Sequence, residues 1–178
     1  MIIKISEIKN KTDFSSLVTK QVSEPKNFDF FLKKDLKNIE NNDSLIYFMT
    51  ERNFRFINIC ETVIKQLEQP NIYFMTYAIG NKSVIKLLDL KNQGKIKNAF
   101  GLLSVRAPKL NSSAFNVLTT FAKIKLERIH AKIFIAQNEN KAITILGSAN
   151  LTNKNSNKEA GHITTNFNVC EFFKSKIL

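Results

Sequence analysis

The chain is poor in the residues that bind metals and form cross-links. It has two cysteines and two histidines in 178 residues. Cys60 and Cys170 lie in apolar, helical-looking stretches, Asn58–Leu67 and Val169–Ile177, and read as buried free thiols. No Cys/His spacing matches a zinc site, so neither a metal nor another cofactor is expected. Long apolar runs are missing too. None approaches the roughly 20 residues of a helical membrane span. The start, Met1 to Glu7, lacks the apolar core and the small-residue cleavage site of a secretory signal. A cytoplasmic protein with no membrane partner is expected. The third shortage is of acid: 15 Asp and Glu stand against 27 Lys and Arg, a net charge of +12. Such a surplus attracts polyanions, nucleic acid first, because neutralised phosphates release counterions. It serves equally as a solubilising surface. The basic residues are scattered over Lys82, Lys86, Lys91, Lys95 and Lys97, then Lys123, Lys125 and Arg128, and form no single arm.

What is present suits one compact domain with a sizeable core: 178 residues, 43% of them hydrophobic. Before Ser44 the pattern is weak. Ile2, Ile3 and Ile5 suit a short edge strand, and Phe28–Ile39 has apolar residues at helical spacing. Residues 1–43 read as an extension packed on a domain of residues 44–178. From Ser44 the order is regular. Strands are expected at Leu45–Met49, Ile72–Ile79 and Ala99–Val105, and helices at Phe54–Leu67, Ser83–Leu90 and Ser112–Ala122. Beyond Arg128, strands are expected at Ile129–Ala136, Ala142–Leu146 and Gly161–Thr165, with Gly147–Lys158 a polar loop and Asn168–Ile177 a terminal helix. The class is α/β, with a mixed, largely parallel sheet flanked by helices.

One segment occurs twice. Ile46-Tyr47-Phe48-Met49-Thr50 returns letter for letter as Ile72-Tyr73-Phe74-Met75-Thr76. The interval suits two successive parallel strands of a βαβ unit. Thr50 and Thr76 then lie at strand C-terminal ends, where open α/β sheets place ligand crevices.

The stretch from His130 to Glu159 carries the chemistry. In a strand, His130 and Lys132 share a face, and an imidazole beside an ammonium suits an oxyanion such as a phosphoryl group. Gly147-Ser148-Ala149-Asn150 follows an apolar strand, where small residues let backbone and the Asn150 amide approach a ligand. Glu159 is placed to accept a hydrogen bond from a His130 ring nitrogen, as a triad carboxylate does.

His130-x-Lys132, then Gly147-Ser148-x-Asn150 and Glu159, resembles the HKD signature of the phospholipase D superfamily. The flanks match as well: Arg128-Ile129 before the histidine, Ile143-Thr144-Ile145-Leu146 before the glycine, and Leu151-Thr152 after the asparagine. The resemblance spans about Ser44 to Ile177. It is closest to short, single-motif, nuclease-like members. One departure is Gln137, where the family often has an aspartate.

The resemblance implies a phospholipase D-like fold and a metal-independent phosphodiesterase working through a phosphohistidine. His130, Lys132, Asn150 and Glu159 are its implied catalytic residues, with Ser148 and Thr76 as substrate contacts. Family enzymes use two motifs and this chain shows one, since His162 is not followed by a lysine two residues on. His162 is therefore expected to be a strand or rim residue. The implied active site is shared across a homodimer. With the charge of +12, the implied substrate is nucleic acid, DNA before RNA. A non-catalytic nucleic-acid-binding module, suggested by Gln137 and the short chain, and a phosphodiesterase for phospholipids or small diesters are the other readings.

Overall fold

The computed structural model describes residues 18–19, 45–50, 52 and 54–178. The expected strand at Ile2–Ile5 and helix at Phe28–Ile39 lie outside these residues.

Eight strands form one sheet: β1 (Val18–Thr19), β2 (Leu45–Met49), β3 (Asn71–Thr76), β4 (Ala99–Ser104), β5 (Ala122–Glu127), β6 (Ile133–Gln137), β7 (Ala142–Gly147) and β8 (Ala160–Thr164). Their spatial order is β1-β2-β8-β7-β6-β3-β4-β5. The helices are α1 (Phe56–Ile64), α2 (Asn81–Asn92), α3 (Ala107–Leu110), α4 (Ser112–Thr119) and α5 (Phe167–Ile177).

The α/β class, the mixed sheet and the flanking helices are as expected. The balance of pairings is not. β1–β2, β3–β4 and β4–β5 are parallel, whereas β2–β8, β8–β7, β7–β6 and β6–β3 are antiparallel. Only β6 and β8 run against the other strands, but both sit between strands of the opposite sense. The cause is the tight turn Asn138–Lys141, in which Asn138 Oδ1 accepts from the backbone of Asn140 and Lys141 at 3.0 and 2.9 Å. It folds β7 back onto β6.

The repeated segment is likewise displaced. β2 and β3 point the same way but are not neighbours, because β8, β7 and β6 lie between them. The long βαβ connection does cross from one to the other, but the C-terminal third of the chain fills the gap.

Burial on both sides explains the unbroken apolar runs. In β3, Ile72 and Phe74 join the larger core with Phe56, Ile59 and Val63 of α1, Leu87 of α2 and Leu118 of α4. Tyr73 and Met75 face the other layer, with Ile133, Ile135 and, from α5, Cys170 and Ile177. Cys60 and Cys170 are buried free thiols, as expected. Burial pushes the Cys170 thiol up to about 11, so it stays protonated and unreactive near neutral pH.

Two elements differ from expectation in ways that bear on the site. The helix expected to reach Ala122 stops at Thr119, and β5 follows it. In β5, Ala122 and Ile124 turn toward the core while Lys123 and Lys125 are exposed, an edge strand protected by charge. The strand expected from Ile129 begins only at Ile133, so His130 and Lys132 precede it.

Gln137 lies at the end of β6 remote from His130. It is buried, donates from Nε2 to Glu171 Oε1 at 2.7 Å and accepts from Lys174 Nζ at 3.2 Å. Its role is to fasten α5 to the sheet.

Candidate active site

All the strand ends that matter meet at one edge of the sheet. β2, β3, β4 and β7 arrive there by their C-termini, and β6 and β8 start from it. Such an edge is where open sheets hold ligands. His130 and Lys132 reach it from the segment entering β6, Asn150 from the loop leaving β7, and Glu159 from the residue before β8.

His130 and Lys132 meet, though not by strand alternation. His130 is exposed, while Lys132 is only 8% exposed and folds back over it. Lys132 Nζ lies 2.9 Å from His130 Nδ1 and 3.1 Å from Nε2, and donates to the His130 carbonyl at 2.7 Å. The ammonium is nearly equidistant from the two ring nitrogens, so it lies against the ring rather than along one nitrogen's lone pair. Burial lowers the Lys132 pKa below the usual lysine range, and the nearby Glu159 charge opposes that shift.

Glu159 departs from expectation. Its carboxylate accepts from the Ser148 hydroxyl rather than from the His130 ring. Its charge acts on Lys132, so it supports the ammonium instead of the imidazole. The Glu159→Gln substitution removes the charge that holds the Lys132 pKa up. Burial then draws that pKa lower still, and the ammonium is lost at lower pH. The alkaline limb of a pH–rate profile is expected to move to lower pH in this variant. An unmoved limb, or one moved upward, would refute the coupling.

Asn150 is set by its surroundings. Thr76 Oγ1 approaches its Oδ1 at 3.3 Å, and the buried Asn155 accepts from its N–H at 3.2 Å and donates to its carbonyl at 3.3 Å. Gly147, at the head of this loop, owes its size to packing. A Cβ there would lie 3.1 Å from the Ala160 carbonyl oxygen and 3.6 Å from Gly161 Cα, so the crowding comes from β8.

The repeated threonines have a common task that the sequence did not disclose. Both are buried, at 4% and 1% exposure for Thr50 and Thr76. Thr76 Oγ1 accepts from Leu151 N–H at 3.3 Å and donates to the Ala78 carbonyl at 2.8 Å. Thr50 Oγ1 accepts from Glu159 N–H at 3.0 Å, and Glu159 O accepts from Thr50 N–H at 2.7 Å. The two copies thus grip opposite ends of the loop between β7 and β8. Thr76 is therefore a positioning residue for Asn150, behind the ligand surface where sequence placed it as a direct contact. Thr76→Val keeps the shape but leaves Leu151 N–H and the Ala78 carbonyl without their partner, and is expected to cost about 1–3 kcal/mol in urea unfolding. Thr76→Ser should restore most of it; a valine variant as stable as wild type would refute the role.

The middle of the same loop docks on α2. Gly80 N–H donates to Leu151 O at 2.8 Å, Ser83 Oγ to Thr152 O at 2.8 Å, and Lys82 N–H to Asn153 Oδ1 at 2.8 Å. Asn155 also bridges to Phe54, its N–H donating to Phe54 O at 2.7 Å. Sequence reasoning missed Thr50 as a loop anchor and Asn155 altogether. Asn155 sits in the run Asn153-Lys154-Asn155-Ser156-Asn157, where nothing separates a buried asparagine from solvated ones.

His162 lies within β8 opposite Tyr47, their ring centroids 6.0 Å apart. It is set back from the edge within the strand, the first of the two expected placements rather than the rim. Tyr77, just past β3, packs its ring on His130 at 5.1 Å between centroids and 59° between planes. Among the described residues, no three His, Cys, Asp or Glu side chains gather as a metal site would require. None of their helices is long and apolar enough to cross a membrane.

No protein-family profile matches the chain. No curated protein matches it in sequence. Solved structures do match in fold. NucT from Helicobacter pylori superposes with a TM-score of 0.50 at 14% identity, covering 76% of this chain and 92% of that one. A polyphosphate kinase from Porphyromonas gingivalis gives 0.52 at 13% identity over 78% of this chain, which spans only 25% of the kinase. These likenesses support the phospholipase D-like fold; at such identity they speak for the fold alone.

Proposed function

We propose that the chain is a metal-independent phosphodiesterase that cuts nucleic acid through a phosphohistidine, with each active site built from two copies of the chain. The observation that carries this reading is the Lys132 ammonium 2.9 and 3.1 Å from the His130 ring nitrogens at the ligand-binding edge of the sheet. A histidine ring sits beside a cation, the pairing that nucleophilic attack on a phosphodiester calls for. The likeness to NucT in fold agrees with this reading, and the charge of +12 favours a polyanionic substrate, DNA before RNA.

In this reading a non-bridging phosphoryl oxygen takes over the Lys132 ammonium and the Asn150 amide donors. The freed imidazole nitrogen attacks phosphorus and forms an N–P bond as the P–O bond to the leaving alcohol breaks. The partner's His130, protonated, gives that oxygen its proton. It then takes a proton from water, whose oxygen attacks phosphorus, breaks the N–P bond and frees the phosphate end. The cycle returns both histidines to their starting states. One chain supplies one histidine to this edge, so the second must come from a second copy.

Gln137 does not favour the non-catalytic alternative, because its side chain ties down α5 at the far end of β6. Trapping tests the proposal. Wild-type protein in EDTA, mixed with end-labelled DNA and quenched in alkaline denaturant, is expected to retain label on the chain. Acid should release it, since N–P bonds to histidine are acid-labile, and His130→Ala should give none. Cleavage without any trapped adduct, or cleavage that stops in EDTA, would overturn the mechanism.

A further inference from the structure

We infer that the cleft beside His130 is a nucleotide subsite that takes an unpaired base and its phosphate next to the scissile bond. The inference deepens the nuclease reading and rests on it. The cleft has a volume of about 610 Å³ and is bounded by the ends of three strands in sequence. Tyr77 follows β3, Val105 and Arg106 follow β4, and Arg128 and Ile129 follow β5, with His130 at its mouth.

Two kinds of surface meet there. One is apolar: Val105 is 45% exposed, and Ile129 and the Tyr77 ring are half-buried. The other is cationic. Arg106 and Arg128 are exposed and have no carboxylate partner among the described residues. Arg106 Nη1 reaches the Tyr77 hydroxyl at 3.4 Å, which leaves most of its donors for an anion. The turn that carries Arg106 is pinned, its N–H donating to the buried Ser104 hydroxyl at 3.2 Å.

A flat base fits against an aromatic ring and aliphatic walls, and its phosphate fits the guanidinium groups. A duplex would present phosphates to the arginines but keep its bases stacked away from Tyr77 and Val105. The volume suits one nucleotide-sized ligand, within the roughly 300–1,000 Å³ of small-molecule sites. Because Tyr77 touches both this cleft and the His130 ring, a base seated here sets the adjoining phosphate beside the nucleophile.

Fluorescence anisotropy with three probes of equal length tests the assignment: a single-stranded oligodeoxynucleotide, the same backbone with its bases removed, and the matching duplex. A His130→Gln background keeps the probes intact. The base-bearing single strand is expected to bind about tenfold more tightly than the abasic strand, and more tightly than the duplex. That advantage should shrink to under about threefold in Tyr77→Leu and in Val105→Gln, the latter at an exposed position that folding tolerates. Arg106→Ala and Arg128→Ala should weaken intact and abasic strands alike. Equal binding of intact and abasic strands, or duplex binding as tight as single strand, overturns the subsite and leaves the nuclease reading standing. If no probe binds, both fall.

Discussion

His130→Ala is expected to remove phosphodiester cleavage in EDTA, with a rate loss of at least about a thousandfold. Two losses coincide in one substitution. The chain that would attack has no nucleophile, and the copy that would protonate the leaving oxygen has no acid. Positioned general acid–base catalysis alone contributes about 10²–10⁴-fold, so removing both functions leaves little beyond binding. The protein should remain folded. His130 is exposed, and its ring contacts are Tyr77 and Lys132, so the change in unfolding free energy should stay within about 0.5 kcal/mol. Steady-state cleavage of labelled DNA and a urea titration measure the two sides. Activity within tenfold of wild type in a folded variant would remove His130 from the chemistry.

Mixing the same inactive chain into wild type should poison it. If both histidines are needed at one site, a dimer with one wild-type and one His130→Ala chain has no working site. With free exchange and a fixed amount of wild type, activity then falls in proportion to the wild-type fraction. An equal amount of mutant should halve it, and a ninefold excess should cut it to about a tenth. A complete site within each chain would leave activity unchanged at any ratio. Subunits need mild denaturant or dilution to exchange, and a wild-type-only control carries the same treatment. Proportional loss supports the shared site; a flat response refutes it whatever the oligomeric state.

Much of this was legible because buried strands write dense apolar runs. Ile72–Met75 lies between two layers and could be read as a strand without knowing its neighbours. The HKD-like pieces could be found because phosphate chemistry restricts residue types. Order in the sheet was not legible, since apolar strands carry no mark of which partner they pair with; that is why the repeat suggests adjacent strands where β8, β7 and β6 intervene. The edge strand β5 was missed because Phe121 and Ala122 continue the apolar spacing of α4, although Lys123, Ile124 and Lys125 alternate as a half-buried strand should. The meeting of His130 with Lys132 was foreseen for the wrong cause: not strand periodicity but a long side chain doubling back brings the ammonium to the ring. The service of Glu159 to Lys132, and the threonine clamps, depend on contacts across the whole chain, which no local pattern records.

The placement of β8 between β2 and β7 also sets when the site can exist. Leu45 pairs with Thr164 and Met49 with Ala160, so closing the sheet joins β2 to β8, the last strand among the described residues. Pairings so distant in sequence form late, because the connecting chain must first give up its freedom. During synthesis β2, β3, β4 and β5 can emerge and collapse against α1 and α2, yet Thr50 has no loop to hold until Glu159 leaves the ribosome. A chain cut short before β8 would carry His130 and Lys132 without the carboxylate and anchor that organise them. A half-made copy therefore lacks the assembled site, and on the proposed function it gains the capacity to attack a phosphodiester only once β8 is in place.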